Sequence, residues 1–368
     1  MDVFDFSDEL GPAKVLHVNQ PSLGLKAILV IDNVAAGPSI GGLRMAPDVS
    51  LEECFRLARA MTFKNAAAGL RHGGGKSVLF GDPAMPIARK EALIRAFAAA
   101  IADETDYIVG PDMGTNETCM AWIHDEIGRS VGLPRVIGGI PLDEVGATGW
   151  GLFHAVDVAA PDAGVVLDGA TVVVQGYGAV GRHAARFLSN KGTRLVGASD
   201  SGGAVHDPAG LDLDRLDTLK GEGRSVVEYG GPALDREAVI DMAADIWIPA
   251  ARPDVIDDSN VDRLQTKIVA QGANIAVSET AERRLSDRGI LSLPDFIANS
   301  GGVICAAMEY AGAGMTAAFD AIGEKIRFNT GEVLERSKHQ AITPREAAIE
   351  LASSRVQEAM SYRRHSIY

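Results

Sequence analysis

A strand pattern that runs directly into a glycine-rich turn is the feature that most restricts the fold of this chain. Residues 171–175 (TVVVQ) are mostly β-branched, which is typical of a buried parallel strand, and residues 176–181 (GYGAVG) follow with the spacing G-x-G-x-x-G. A helical pattern extends to about residue 191, a second strand is predicted at 195–199, and Asp200 follows it at once. This order predicts an α/β fold with a doubly wound, mostly parallel sheet.

The same turn predicts a site for the pyrophosphate of a dinucleotide, and therefore a Rossmann domain. Glycine allows a tight turn and a close approach of the backbone, and the next helix begins with free N–H groups and the positive end of its dipole. The alternative is an ordinary glycine-rich turn, but an acid at the end of the next strand completes the pattern. The residues predicted here to hold the cofactor are Gly176, Tyr177, Gly178, Ala179, Val180, Gly181 and Asp200.

The choice between NAD and NADP depends on charge near the adenosine ribose. A carboxylate at Asp200 can accept hydrogen bonds from the ribose and repels a 2′-phosphate, which favours NAD. Arg182 and Arg194 lie near it in sequence and could offset that charge, so NADP stays open.

Composition and charge exclude several other classes of protein. The formal net charge is −14, and so acidic a chain repels nucleic-acid backbones. The apolar stretches are too short to span a bilayer, and the acidic N-terminus lacks the layout of a signal peptide. Cys54, Cys119 and Cys305 are scattered, which indicates free thiols in a reducing, cytoplasmic compartment, and no His, Cys or Asp cluster has the spacing of a metal site.

The rest of the chain also alternates between strand and helix patterns. Apolar runs predict strands at residues 26–31, 107–109, 245–248 and 268–270, and apolar stripes predict helices at 51–68, 87–102 and 117–131. Thr343-Pro344-Arg345-Glu346 has the residues of a capping box and predicts a helix to about residue 360. We expect a first α/β domain at residues 1–145, a Rossmann domain at 146–320, and C-terminal helices at 321–368 that return to the first domain.

Two lysines in the first domain are candidates for chemistry. Lys76 follows three glycines, so it can be held close to a ligand with part of its hydration removed, and Lys64 precedes it in the same stretch. Burial and a neighbouring cation both lower the pKa of an ammonium group, and a lysine near neutrality can act as a general base. In the alternative interpretation Lys64 is a solvated helix residue and residues 73–75 form a flexible loop.

Four segments resemble motifs of the glutamate/leucine/phenylalanine/valine dehydrogenase family. They are GPSIGGLRM at 37–45, MTFKNAAAGLRHGGGKS at 61–77, PDMGTNETCMAW at 111–122 and GATGWG at 146–151. The resemblance extends from about residue 14 to about residue 310. It implies a first domain that binds substrate and forms a homo-oligomer, a second domain that binds the dinucleotide, and an amino acid as substrate.

The resemblance also implies a role for individual residues. Lys76 would be the catalytic lysine and Asp112 the catalytic acid, while Gly41 and Gly42 would lie against the substrate and Lys64 would bind its α-carboxylate. Thr148 would contact the nicotinamide carboxamide, and Asn274 and Asn299 would lie near nicotinamide and substrate. Hydride would pass from the substrate Cα to the nicotinamide, neutral Lys76 would activate water against the resulting imine, and Asp112 would move protons to and from the nitrogen.

Two positions favour a substrate with an apolar side chain. Glutamate-specific members of the family have a lysine just before the paired glycines and a serine in a late helix, where this chain has Ile40 and Ala306. Burying a distal carboxylate against these residues and Val303 would leave its charge unpaired, at a cost of several kcal/mol. We therefore expect leucine, valine, isoleucine or phenylalanine, although residues 113–122 and 199–201 resemble the glutamate enzymes more closely.

Three other functions compete with this interpretation. A glutamate dehydrogenase, or an enzyme of an unusual amino acid, would use the same machinery. A catalytically silent nucleotide-binding protein would not need Lys64, Lys76 and Asp112 together. A hydroxy-acid dehydrogenase usually relies on a histidine as its proton acceptor, and the eight histidines of this chain lie outside any such motif.

Overall fold

The computed structural model describes residues 3–232 and 234–363, which fold into two compact units. The first unit lies within Met1–Leu142, Val303–Ala318 and Glu350–Tyr368, and the second comprises Asp143–Gly302 and Phe319–Ile349. The domain bounds expected from the sequence, 1–145 with 321–368 and 146–320, stay a prediction, and residues 1–2 and 364–368 of them lie outside the described residues.

Strands and helices alternate along most of the chain. The strands are β1 (Lys14–Gln20), β2 (Leu25–Asn33), β3 (Ser39–Ala46), β4 (Gly74–Phe80), β5 (Tyr107–Pro111), β6 (Thr171–Gln175), β7 (Arg194–Asp200), β8 (Gly203–His206), β9 (Ile246–Pro249), β10 (Ile268–Ala270) and β11 (Leu291–Leu293). The α-helices are α1 (Leu51–Ala67), α2 (Ile87–Ala100), α3 (Glu117–Ile127), α4 (Ala147–Ala159), α5 (Ala179–Ser189), α6 (Leu213–Gly221), α7 (Glu279–Asp287), α8 (Asp295–Ala298), α9 (Gly301–Tyr310), α10 (Met315–Gln340) and α11 (Pro344–Ser361). Short 3-10 helices lie at Val3–Phe6, Arg135–Ile137, Val226–Tyr229, Arg236–Asp241 and Val261–Arg263.

The first unit is built on a five-stranded sheet in the order β1-β2-β4-β3-β5. Strand β3 pairs in parallel with both β4 and β5, while β2 pairs antiparallel with β1 and β4. Both faces of β2 are covered, because Leu29 and Ile31 pack with Phe97 of α2 while Ile28 and Val30 join the apolar cluster of α1. A central strand buried on both faces reads as a continuous apolar run, as residues 26–31 do.

The second unit has the strand order of a Rossmann domain. Its six-stranded sheet runs β11-β10-β9-β6-β7-β8, and every pair is parallel except β7 with β8. Counted from β6 as the first strand, this order is 3-2-1-4-5-6, with the third strand reversed. The order changes direction between β6 and β9, where such sheets bind ligands. The predicted fold class, α/β with two domains of which one is doubly wound, is confirmed.

The sequence missed two central strands of the first sheet. Residues 73–75 were open to interpretation as a flexible loop, but Gly74 and Gly75 begin β4 and are buried. Helix α3 ends at Ile127, four residues before the predicted end, because Gly128 caps it with a φ of 67°. The predicted capping box is present, since Thr343 N–H donates to Glu346 at 2.8 Å and Glu346 N–H donates to Thr343 Oγ1 at 3.2 Å.

Cys54, Cys119 and Cys305 are buried free thiols. Among the residues that the structure describes, no helix combines the length and the apolar character that crossing a membrane requires.

Candidate active site

Lys76 and Asp112 meet across β3, the strand that lies between β4 and β5 in the first sheet. Lys76 lies on β4 and Asp112 follows β5 directly, and both strands pair with β3. Neighbouring strands lie about 5 Å apart, so two side chains on opposite sides of β3 must extend over it to touch. They do so here: the Lys76 ammonium and the Asp112 carboxylate form an ion pair.

Gly42 on β3 makes this contact possible. A Cβ at position 42 would lie 2.7 Å from Asp112 Cβ and 3.2 Å from Lys76 Nζ, so any side chain there would occupy the space of the ion pair. A Cβ on Gly41 would collide with the backbone of Gly75. The paired glycines are therefore required by the close approach of β3, β4 and the two functional side chains.

Burial and nearby charges determine the ionisation of Asp112. Lys76 is only 6% exposed, and a third charged group, Arg44, places its Nε 3.3 Å from Asp112 Oδ2 and its Nη1 2.5 Å from Glu53. Burial opposes ionisation of Asp112, but the nearby charges of Lys76 and Arg44 outweigh it, and the pKa of this carboxyl lies below its ordinary value. Asp112 is therefore a carboxylate that can accept a proton.

Hydrogen bonds fix the turn that carries Asp112. Thr115 Oγ1 accepts from Asp112 N–H at 3.0 Å and donates to Leu43 O at 2.8 Å, which ties the turn to β3. The hydroxyl of Tyr107 is buried, donates to Gly41 O at 2.9 Å and lies 2.9 Å from Ser77 Oγ. Sequence reasoning assigned no role to Thr115 or Tyr107, because their partners are distant in sequence.

Lys64 lies in the last turn of α1. The next residue, Asn65, is fully buried, and its Nδ2 donates to Gly73 O at 2.7 Å and to Ile40 O at 3.4 Å. These bonds fix the end of the helix against the residues that precede Lys76. Lys64 itself is half-buried, which contradicts the alternative of a fully solvated helix residue.

An apolar cluster adjoins the paired glycines in the first unit. It contains the two positions that the sequence argument used for substrate choice, Ile40 and Ala306, which are 3% and 8% exposed. Its other members are Ile108, Val131, Ala307 and Leu70. Val303, the third predicted residue, lies on α9 with Ala306 and is half-buried.

The glycine-rich turn of the second unit has the geometry that a pyrophosphate needs. Gly176 has a φ of 92° and its Cβ position lies 2.7 Å from Ala251 N, so only glycine fits at this turn between β6 and α5. Gly178 caps α5 without a side-chain hydrogen bond, and nothing lies within 4 Å of its Cβ position. Gly181 packs against Val174 and Gly176. The residues present therefore fit a dinucleotide, with the start of α5 facing its phosphates.

A cavity of about 340 Å³ extends from this turn to the end of β7. Tyr177 and Asp200 line it, but the Tyr177 ring is buried and its hydroxyl donates to Asp217 at 3.1 Å. The cations of the lining are Lys220, Arg236 and Arg252. Arg182 and Arg194, which the sequence had singled out, are not among the lining residues, and Arg194 instead donates to Pro208 O at 3.4 Å.

The residues predicted near the nicotinamide also lie in the second unit. Asn299 Nδ2 donates to Asn274 Oδ1 at 2.9 Å and to Gly272 O at 3.2 Å. Thr148, the second residue of α4, lies close to the start of α9, since a Cβ on Gly301 would be 3.2 Å from Thr148 Cα. Sequence reasoning missed Asp295 and Arg345, which form an ion pair at 2.8 Å. Asp295 also accepts a hydrogen bond from the backbone N–H of Ile275, the residue after Asn274.

Two family models match this chain. The model of the Glu/Leu/Phe/Val dehydrogenase dimerisation domain matches residues 12–129, and the Glutamate/Leucine/Phenylalanine/Valine dehydrogenase model matches residues 138–364. The chain belongs to this family. The second match continues beyond residue 310, so it also covers most of the C-terminal helices.

Curated relatives and solved structures agree with this assignment. The chain is 35% identical to a glutamate dehydrogenase of Aeropyrum pernix over 90% of this chain and 85% of that protein, and 34% identical to an NAD-specific glutamate dehydrogenase of Staphylococcus aureus over 90% and 84%. The structure matches the Leu-bound hetero-hexameric glutamate dehydrogenase of Thermus thermophilus with a TM-score of 0.85 at 27% identity, covering 95% of this chain and 89% of that one. It matches L-tryptophan dehydrogenase of Nostoc punctiforme with a TM-score of 0.75 at 26% identity, covering 96% and 98%.

The protein is thus an amino acid dehydrogenase, an oxidoreductase that acts on CH–NH2 donors and uses NAD(P). NAD(P) accepts the hydride in this chemistry, and the protein supplies position and charge. Among the described residues, no group of three or more His, Cys, Asp or Glu side chains is arranged to hold a metal ion. The Lys76–Asp112 pair is the arrangement that can move protons.

Proposed function

We propose that this dehydrogenase oxidatively deaminates an L-amino acid with an apolar side chain, such as leucine, valine, isoleucine or phenylalanine, to the 2-oxo acid and ammonia. The observation that carries the proposal is the apolar cluster in which Ile40 and Ala306 lie together beside Gly41. An apolar side chain buried against it would gain about 25 cal/mol per Å². The distal carboxylate of glutamate would lose its hydration there, at a cost of several kcal/mol.

In the proposed mechanism Lys64 pairs with the α-carboxylate and orients Cα, while Gly41 and Gly42 let the substrate approach β3. The lowered pKa of Asp112 keeps its carboxyl group ionised, and its contact with Lys76 makes it the carboxylate that would take a proton from the substrate nitrogen or from Lys76. Once Lys76 has released its proton, its amine can take one from the water that attacks the imine. In the second unit, Thr148, Asn274 and Asn299 would contact the nicotinamide, and the turn at residues 176–181 would hold the pyrophosphate.

A glutamate dehydrogenase is the second candidate. The curated relatives in Aeropyrum pernix and Staphylococcus aureus carry that name at 35% and 34% identity. Against it stand the two substitutions in the apolar cluster, and the fold also accommodates the tryptophan dehydrogenase of Nostoc punctiforme. Identity over the whole chain reflects the shared machinery, whereas the side chains of the pocket determine the substrate.

A substrate panel tests the proposal. Reduction of NAD and of NADP is followed with leucine, valine, isoleucine, phenylalanine, tryptophan and glutamate, and kcat/KM is compared. We expect the apolar amino acids to exceed glutamate by at least tenfold, since one unpaired charge costs more than about 1.4 kcal/mol. A higher value for glutamate would refute the apolar pocket. Binding of the dinucleotide without turnover of any amino acid would favour a catalytically silent protein.

The assembly and location of the enzyme are part of the same proposal. The match of residues 12–129 to a dimerisation domain and the hetero-hexamer of the Thermus thermophilus relative support an oligomer, which we propose is a homo-oligomer assembled through the first domain. Sedimentation or light scattering would give the number of subunits. The cytoplasmic location and the domain bounds 1–145 and 146–320 stay predictions.

A further inference from the structure

We propose that the cavity beside Asp200 accepts a phosphate on the adenosine ribose, so that the enzyme binds NADP at least as well as NAD, and that Lys220 is the residue that determines this preference. The inference deepens the role of the cofactor cavity and rests on the proposed placement of the dinucleotide at the turn of residues 176–181. It reverses the expectation that Asp200 selects NAD.

Asp200 has no vacant acceptor position for a ribose hydroxyl. Its Oδ1 accepts from Gly202 N–H at 2.9 Å and Ser225 Oγ at 2.7 Å, and its Oδ2 accepts from Lys220 Nζ at 2.7 Å and Val226 N–H at 3.0 Å. A carboxylate offers about four lone-pair positions, so these four donors use all of them. A ribose hydroxyl could bind only by displacing one of these donors.

The charge of Asp200 is also compensated. Its side chain is 10% exposed, and burial alone would raise its pKa, but the hydrogen bonds from Lys220 and Ser225 outweigh burial and the pKa lies below its ordinary value. The carboxylate is therefore ionised and paired with an ammonium. A paired carboxylate repels a phosphate much less than the isolated one that usually selects NAD.

Lys220 retains donors for a phosphate. Lys220 lines the cavity, its side chain is 24% exposed, and one of its three N–H bonds is used on Asp200. Two more cations, Arg236 and Arg252, line the same cavity with one further carboxylate, Glu237. The lining thus has three cations against two carboxylates, in a chain whose formal net charge is −14.

A 2′-phosphate carries about −1.5 to −2 charge near pH 7, so the excess of cations in this cavity favours its binding. Arg236 and Arg252 both approach Glu237, at 3.3 and 3.6 Å, and more than half of each side chain is exposed. They can therefore turn towards a phosphate with little loss. Lys220 differs from them because Asp200 holds it in place, which makes it the residue whose removal should change cofactor choice most.

Binding of the two half-cofactors tests the inference without depending on turnover. Calorimetry on the full-length protein compares 2′,5′-ADP, which carries the ribose phosphate, with 5′-AMP. We expect 2′,5′-ADP to bind at least tenfold more tightly. Lys220→Met should weaken 2′,5′-ADP at least tenfold and 5′-AMP less than threefold, and Lys220→Arg should retain the preference. Lys267→Met is the matched control, because Lys267 forms a 2.9 Å ion pair with Asp245 in the same unit, away from the cavity, and should change neither affinity.

Kinetic data give the second readout: kcat/KM for NADP should equal or exceed that for NAD in the wild-type enzyme and fall below it in Lys220→Met. Equal or tighter binding of 5′-AMP by the wild-type protein would overturn the inference, even if Lys220→Met failed to fold. Equal weakening of both nucleotides in a folded Lys220→Met protein would also overturn it. If the wild-type protein bound neither nucleotide, the placement of the dinucleotide itself would be wrong, which separates the two failures.

Discussion

Asp295 accepts a 2.9 Å hydrogen bond from the backbone N–H of Ile275, a residue whose φ is 51°. A β-branched residue in this left-handed region is strained by about 1–3 kcal/mol and persists only where its surroundings enforce it. The other oxygen of Asp295 accepts from Arg345 at 2.8 Å, and both side chains are largely buried. The residue before Ile275 is Asn274, which accepts from Asn299 at 2.9 Å. The buried pair therefore fixes the backbone that presents Asn274.

Asp295→Asn should loosen this segment. The new side-chain amide could still accept from Ile275 N–H, but its NH2 group would face the Arg345 guanidinium, which is also a donor. The free energy of unfolding should therefore fall by about 3 kcal/mol, and the backbone amide of Ile275 should exchange its hydrogen faster. Urea unfolding and hydrogen exchange measure the two effects. Asp241→Asn is the control, because Asp241 pairs with Arg263 on the surface and its loss should change stability little. Unchanged exchange at Ile275 would contradict this account.

Lys76→Ala should reduce kcat by about 10²- to 10⁴-fold, the contribution typical of a positioned general base. Dinucleotide affinity should stay within a factor of about three, because the glycine-rich turn lies in the other unit. Assays of NAD(P) reduction with a substrate that the wild-type enzyme turns over measure kcat, and separate nucleotide titrations measure dinucleotide affinity. Lys26→Ala removes an exposed lysine from β2 of the same sheet and should leave both unchanged. A kcat for Lys76→Ala within tenfold of wild type would refute the mechanism.

Local patterns predicted several of the apolar elements, and among the elements that they missed are two strands whose glycines allow close approach. The strand at Thr171–Gln175 was predicted with its observed bounds because its apolar residues alone favour a buried strand. Strands β3 and β4 were missed because glycine has low strand propensity. Their glycines serve contacts with distant residues, as Gly42 does with Asp112, and sequence spacing does not encode such contacts.

In the candidate site, too, motifs predicted residues but did not predict partners that are distant in sequence. Motifs placed Lys76 and Asp112 in one site, and the structure brings them into contact. Sequence also placed Asp200 at the end of β7, but its partners come 20 and 25 residues later without a motif: Lys220 in the last turn of α6, and Ser225 at the cap of the 3-10 helix that follows. Position along the chain predicted where that carboxylate lies and could not predict that its acceptor positions are filled.

Gly42→Ala should disable the enzyme by displacing the ion pair. The added methyl group would lie 2.7 Å from Asp112 Cβ and 2.9 Å from Pro111 O, so β5 or the Asp112 turn must shift. We expect at least a hundredfold loss of kcat/KM and destabilisation by about 1–3 kcal/mol, as for other overpacked sites. Gly331→Ala is the control, because nothing lies within 4 Å of that position on α10, and alanine should stabilise the helix by about 0.5–1 kcal/mol. Equal activities of the two variants would contradict the steric argument.

The double variant Ile40→Lys with Ala306→Ser should shift substrate choice towards glutamate. Both residues lie in one apolar cluster, so the new ammonium and hydroxyl would face the same volume and could pair with a distal carboxylate. We expect kcat/KM for leucine to fall at least tenfold and the glutamate-to-leucine ratio to rise at least a hundredfold. The two single variants show whether the effects are coupled. A ratio that did not change would mean that this cluster does not contact the substrate side chain.

His154 on α4 should make the stability of the protein sensitive to mild acid. Its ring packs edge-on against Trp150 with centroids 4.3 Å apart, and neither ring nitrogen has a hydrogen-bond partner among the described residues. Burial first, and then the nearby charge of Arg327, lower the pKa of His154 from 6.5 to about 4. Between these two values the unfolded chain binds a proton that the folded chain does not, so stability is full above pH 6.5 and falls as the pH approaches 4.

His154→Phe removes the titrating group and keeps an aromatic ring against Trp150. Urea unfolding at one protein concentration, repeated from pH 7 downward, should show a smaller loss of stability for His154→Phe than for the wild-type protein between pH 6.5 and about 4. The carboxylates of the chain titrate in both proteins, so the difference between the two curves isolates His154. His17→Gln removes an exposed histidine of β1 and should reproduce the wild-type curve. Parallel curves for wild type and His154→Phe over this range would show that His154 gains its proton as readily in the folded protein as in the unfolded chain.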